Sequence, residues 1–221
     1  MKTYIATASP DDVRWAVACG LADGILVSAS MLDAELPSDD LRVRALELSR
    51  LIDGTVIVSV GARDAGVLYH EGRELARLSD QLVLDMPLDA ATLESLHRAV
   101  IDGSRVAASM VFTSSQALLA AKAGAMAVLV PVAALDALGL NLANTLSEMR
   151  AIYEMHLIEC EIVAVCPVSA SQFGVCAASG ADAVVVDVST VRDLLLHPLT
   201  DRTLDAMLPD VTARARGRQP A

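Results

Sequence analysis

Residues Gln81–Leu88 read QLVLDMPL, an apolar stretch interrupted by one acid, Asp85. A carboxyl group in such surroundings loses hydration, and its pKa rises unless it is paired or hydrogen-bonded. Two readings follow. Asp85 is a general acid or base held near neutrality. Or it faces water, or holds neighbouring amides and hydroxyls such as those of Ser59 and Ser109. The second is favoured, because structural arrangements perturb carboxyl groups as catalytic ones do. The last inward residues of other apolar stretches are Ala6, Ser28, Ser59, Ser109, Cys166 and Asp187. These residues are small and contain no lysine, arginine or histidine. Asp187 precedes a helical pattern and reads as a helix cap. Cys166 precedes Pro167. A nucleophilic cysteine needs a base or a cation beside it; none is visible in the sequence, so a packed thiol is the better reading. His70 and His97 lie in helical patterns, and His156 and His197 lie near helix ends. They show no HExxH or other metal-ligand spacing. They read as surface or capping residues, and neither a metal nor a cofactor is implied.

Something periodic must position these side chains. Eight short apolar runs recur along the chain: Thr3–Thr7, Gly24–Ala29, Thr55–Val60, Gln81–Met86, Arg105–Phe112, Ala127–Val132, Glu161–Cys166 and Ala183–Val188. They start roughly 20 to 35 residues apart, the spacing of a βα unit. Most are continuous and not alternating, as expected of strands covered on both faces in a parallel sheet. Helical patterns lie between them, at Asp11–Cys19, Asp39–Ile52, Asp64–Leu78, Asp89–Val100, Ser114–Ala123, Leu142–Met155, Ser169–Ala178 and Thr190–Leu196. A short helix, Asp201–Met207, follows. No GxGxxG or P-loop follows the first run, which reads ATASPDD. The pattern predicts a closed (β/α)8 barrel, a single domain with an extra C-terminal helix. Residues 1–210 form the barrel domain, and residues 211–221 form a short basic tail. In such a barrel, chemistry sits where the strands end. The segment Pro167–Ser171 opens the helix after the seventh strand, where a barrel can bind phosphate. A serine N-cap has the same appearance and is preferred.

Of the 221 residues, 54% are hydrophobic but only 3% aromatic, so the core must be built from Ala, Val, Leu and Ile. Mean hydropathy is +0.48. The longest apolar run, Ala125–Leu135, is nonetheless too short to span a bilayer. The N-terminus has no extended apolar signal region, and the four cysteines show no CxxC spacing. The chain reads as a cytoplasmic protein with free thiols. A formal charge of −11 disfavours nucleic acid and anionic membrane surfaces as partners.

Several segments resemble, in order, the small transaldolase family that includes fructose-6-phosphate aldolase. FTSSQALLAAKAGA (Phe112–Ala125) resembles the family's block after the fifth strand. DGILVSASML (Asp23–Leu32) matches the frame of DGVTTNPSLI, and VLDMPL (Val83–Leu88) that of VVKIPM. ASGADAVVV and HPLTD (His197–Asp201) match the end of the family pattern. The resemblance runs from about Thr3 to Leu208. It implies a barrel, carbohydrate metabolism, and carbon–carbon bond chemistry through a lysine Schiff base at the end of strand four. Here that position holds Asp85. The family's first-strand aspartate falls on Ala6, its asparagine after strand two on Ser28, and its acidic or amide residue on strand three on Ser59. Its phosphate-gripping arginine falls on Ala134, and its serine and arginine after strand seven fall on Cys166 and Val168. Ser109 replaces the usual threonine. Lys2 and Lys122, the only lysines, fall away from the pocket.

The resemblance with these departures implies a barrel that is not a working transaldolase. It is either a pseudoenzyme or a repurposed pocket. One alternative is an enzyme acting on a small, weakly charged carbonyl or polyol with Asp85 as acid or base. A second is residual transaldolase or aldolase activity. The expected partner is a small molecule. The resemblance also implies a homo-oligomer, a pentamer or decamer, with the C-terminal helix packed on a neighbour.

Overall fold

The computed structural model describes residues 1–35, 40–167 and 169–216, with backbone only at 35 and 208–216. Eight parallel strands close into one barrel in sequence order: β1 (Lys2–Ala6), β2 (Gly24–Ser28), β3 (Thr55–Ser59), β4 (Leu82–Pro87), β5 (Val106–Ser109), β6 (Ala127–Pro131), β7 (Glu161–Val165) and β8 (Ala183–Val186). β8 pairs with β1, Val185 standing beside Tyr4, which leaves no sheet edge. The expected (β/α)8 barrel is present, and each of the eight apolar runs forms a strand.

Helices follow the strands: α1 (Pro10–Ala18), α2 (Ala29–Glu35), α3 (Leu41–Ser49), α4 (Ala65–Leu78), α5 (Thr92–Ile101), α6 (Ser114–Ala123), α7 (Val132–Ala137), α8 (Leu142–Met155) and α9 (Ala170–Ala178). Side-chain caps set the starts of α1, α3, α4, α6, α8 and α9. Ser9 accepts from the Asp12 amide, with Pro10 opening α1. Asp64 accepts from the Val67 amide at α4. Thr113 and Gln116 form a reciprocal capping box at α6. Gly124 ends α6 at φ 102°, a left-handed position open to glycine at little steric cost. Buried residues on α4 (Leu68, Gly72, Leu75) and α5 (Thr92, Leu96, Ala99) recur at i, i+4, i+7, the stripe that packs on the sheet. Tyr153 on α8 donates to the Ala117 carbonyl at 2.9 Å and ties α8 to α6.

Three details differ from expectation. α2 and α7 follow β2 and β6 with no connecting loop, so strand and helix read as one segment in the sequence. α5 starts at Thr92, not Asp89; Asp89 instead receives the Ala91 and Thr92 amides, both at 2.8 Å. The Asp39 start expected for α3 lies outside the described residues, and Asp40 caps that helix.

The chain divides into two compact units, Met1–Val188 and the remainder from Ser189. The first contains the whole barrel. The second consists of α10 from Ser189 onward (the helix spans Val188–Leu195) and α11 (Pro198–Arg216), longer than the Asp201–Met207 helix expected.

The barrel interior is a packed cluster: Tyr4, Ala6, Leu26, Ile57, Val83, Ala107, Ala127, Leu129, Val163, Ala183 and Val185. Burying each large branched aliphatic contributes about 1.5–3 kcal/mol. Tyr4 fills the floor, at the end where the strands begin. Its ring lies against Gly24 so closely that a Cβ there would sit 2.6 Å from Tyr4 Cδ1. Only glycine fits at that position.

Candidate active site at the barrel mouth

Strand alternation decides which side chains face inward. On β4, Val83 joins the interior cluster, whereas Leu84 turns out toward α4, its Cδ2 being 3.2 Å from where a Cβ on Gly72 would sit. Asp85 is therefore inward. Ser28 stands beside Ser59 across β2 and β3. Val58 stands beside Leu84, which puts Ser59 beside Asp85. Pro87 stands beside Ser109, so the ends of β2 to β5 bring three hydroxyls and one carboxyl group to one place.

They line a cavity of about 150 Å³, together with Leu26, Met110, Leu129, Pro131 and Val165. Asp85 is the one ionisable residue in that lining, and it is 9% exposed. Burial pushes its carboxyl group above the ordinary value of 3.8; the Ser109 hydroxyl, then that of Ser59, pulls the other way and is outweighed. Oδ1 is buried and has no hydrogen-bond partner. Most buried polar atoms in folded proteins are paired, so an orphan acceptor at a barrel mouth needs a reason. Ser28 is partly committed elsewhere. Its hydroxyl accepts from the Met31 amide at 3.2 Å and lies 3.0 Å from that of Ser30.

Other residues singled out in the sequence are placed as follows. Ala6 is buried in the interior cluster. Ala134 is half-buried on α7. Cys166, expected to point inward as a packed thiol, is exposed at φ 56°, and Val165 lines the cavity instead. Desolvation, then the Asp187 charge, pushes the Cys166 thiol up, which opposes nucleophilic activation. Asp187 is exposed just before α10. Val168 lies outside the described residues. Ser169 caps α9, accepting from the Gln172 amide at 3.2 Å. All four histidines are exposed; His97 Nδ1 meets the Ala123 carbonyl and His197 Nδ1 accepts from the Leu199 amide. Among the described residues no group of three or more His, Cys, Asp or Glu is gathered as metal ligands would be.

The sequence reading missed Leu26, Met110, Leu129, Pro131 and Val165. Counting back two residues from each inward strand end finds Leu26 and Leu129. Met110 follows β5 at φ 58°, a strained position that strand patterning does not reveal.

Neither lysine approaches this cavity. Lys2 opens β1 on the floor side and ion-pairs with Glu161, and Lys122 is exposed on α6, outside the barrel. Larger hollows exist on the floor side. One of about 460 Å³ is lined by Asp23, Arg50 and Asp53 among others, and one of about 360 Å³ by Arg150, Glu161 and Asp182 among others. Key polar groups there are already engaged: Asp23 receives the Thr3 amide, and Arg150 bonds Gly180 and Asp182. The smaller mouth cavity holds the unpartnered acid and is the candidate site.

No protein-family model matches the chain. Among solved structures, a putative isomerase from Sinorhizobium meliloti shares the fold, with a TM-score of 0.62 at 11% identity over 88% of this chain. This chain spans about half that structure's length, 52%. Curated relatives are much nearer in sequence. The probable transaldolase of Hyphomonas neptunium is 34% identical over 210 residues, 95% of this chain and 96% of that one. Probable transaldolases of Desulfotalea psychrophila (31% over 217 residues, 98% and 100% of the two chains) and Porphyromonas gingivalis (32% over 212 residues, 95% and 96%) agree. Such identity over nearly the full length, on a closed eight-stranded barrel, means that the chain belongs to the transaldolase family.

Proposed function

We propose that this barrel keeps the transaldolase scaffold without Schiff-base catalysis, and that its mouth serves as a binding pocket for a small ligand. One observation carries the reading: the ionisable group in the cavity lining is the carboxyl of Asp85, and both lysines lie outside it. Imine formation joins a primary amine to a ketone carbon and releases water. A carboxyl group cannot supply that nitrogen, whatever its protonation state. By the family resemblance, Asp85 stands where the lysine belongs. The lining also lacks arginine, so a phosphorylated sugar finds no cationic grip there.

A second reading has its own support. A buried acid with a raised pKa and an open acceptor can move a proton on a small, weakly charged carbonyl or polyol. The family resemblance further implies a cytoplasmic homo-oligomer, a pentamer or decamer. Among the described residues no helix is long and apolar enough to cross a membrane. Light scattering of the full chain is expected to give the mass of a multimer; a monomer mass refutes the assembly.

Borohydride trapping tests the main reading. With dihydroxyacetone or fructose 6-phosphate, mass spectrometry is expected to find unmodified protein. A reduced covalent adduct on either lysine restores the aldolase reading.

A further inference from the structure

The unpartnered Asp85 Oδ1 constrains what this mouth can bind. The cavity lining supplies hydrogen-bond acceptors at one spot, the Asp85 carboxyl and the Ser59 and Ser109 hydroxyls, surrounded by apolar side chains. Ser28 is already engaged in the first turn of α2. The lining has no cation to meet the acid. Among the described residues, the ionisable groups just after the neighbouring strands include Asp12, Arg63, Asp64, Asp89, Cys166 and Asp187; Arg63, the cation among them, is exposed and is not part of the lining, and the chain's formal charge is −11. A lone buried carboxylate is costly until an opposite charge reaches it, and a field of this sign draws cations.

We propose that the mouth binds a small primary ammonium ion, whose three N–H bonds go to Asp85 Oδ1, Ser59 and Ser109 while its carbon chain lies against Leu26, Leu129 and Val165. The match is one of donor count and shape. An alkylammonium head brings three donors and no acceptor. A neutral alcohol brings one donor and an acceptor that must itself be satisfied. A carboxylate or phosphate meets like charge. Size sets the rest: a cavity of about 150 Å³ holds about five waters at ~30 Å³ each, so a ligand of about five non-hydrogen atoms fills it. The inference rests on the proposed reading of this mouth as a pocket without an amine of its own.

The test is a nuclear magnetic resonance titration of the full chain with n-butylammonium, 1-butanol and butyrate, from about pH 5 to 9. Butylammonium is expected to bind saturably, at least about tenfold tighter than butanol, with butyrate not binding. Its affinity is expected to rise with pH, by up to about tenfold per unit while Asp85 is protonated in the free protein, because the proton must leave. Asp85→Asn, with its fold checked by circular dichroism, is expected to lose the binding; the wild-type series stands without it. Equal binding of butanol, no binding of butylammonium, affinity that falls as pH rises from about 5 to 9, or unchanged binding in a folded Asp85→Asn protein overturns the inference. None of these outcomes yields a borohydride adduct. An adduct sinks the underlying reading whatever the amines do.

Discussion

Where the barrel strands begin, Arg150 donates to the Gly180 carbonyl at 2.9 and 3.0 Å and pairs with Asp182, which also receives the Ile162 amide at 2.7 Å. Lys2 pairs with Glu161, which also accepts from the Tyr4 hydroxyl at 3.1 Å. Where the strands finish, Asp85 has one oxygen with no partner. Tight turns differ in the same way. Floor-side turns place glycine at positive φ at Gly20, Gly103, Gly124 and Gly180, and a non-glycine residue once, at Leu157. The mouth has Gly61 after β3, but just after β5 and β7 it places Met110 and Cys166 there, at about 1–2 kcal/mol each. The floor pairs its charged side chains and puts glycine at most of its positive-φ turns, although the buried Ser104 Oγ before β5 has no partner. The mouth leaves a buried carboxyl group open and carries bulkier residues at positive φ, as sites that bind something tend to do.

If the floor is structural, the largest effect comes from cutting it. Arg150→Ala is expected to cost about 2 kcal/mol. That lowers the Tm by about 4–8 °C at this length and leaves ligand binding at the mouth unchanged. A smaller loss, or a change at the mouth, breaks the division of labour.

Asp85→Asn is expected to act with the opposite sign. The folded-state pKa of Asp85 is raised, so its contribution is fully present below the ordinary value of 3.8 and is lost as pH rises through the folded value. Asparagine does not titrate. The variant and the wild type should therefore match at low pH. The variant should gain as pH rises through the folded value and stay the more stable of the two above it. Thermal unfolding across pH checks it; a variant equally or less stable at high pH shows that the carboxylate is paired after all.

The smallest effect expected is none. Asp85→Lys alone should give no aldolase turnover, measured as cleavage of fructose 6-phosphate, because Ala6 and Ala134 also lack the groups the family pattern places there. Measurable turnover from that single change shows a mouth closer to an aldolase than proposed.

Much of this comparison was legible in the residues. The eight apolar runs mark the strands because parallel strands buried on both faces leave continuous aliphatic segments. Reading each run's end located Ser28, Ser59, Asp85 and Ser109 in one layer. The same method failed at β7, because there the last residue of the run was taken as inward, where on β1 to β4 it was the residue before the last. Side chains alternate, so a one-residue slip exchanges inside for outside, and Cys166 took the place of Val165. α2 and α7 escaped because each starts at the residue after its strand, with no connecting loop, and at seven and six residues is too short to show a helical period. The orphan state of Oδ1 depends on distances between four strands, which no pattern within one strand encodes.

Tyr4 has one more consequence. Its ring, seated on Gly24 with the hydroxyl held by Glu161, stoppers the barrel from below. The cavity above it is a blind-ended well. Whatever enters must leave by the same opening, and water displaced on entry has to pass the incoming molecule. Residence time is then set at the rim, where Met110 is 55% exposed, and not by any through-route along the axis.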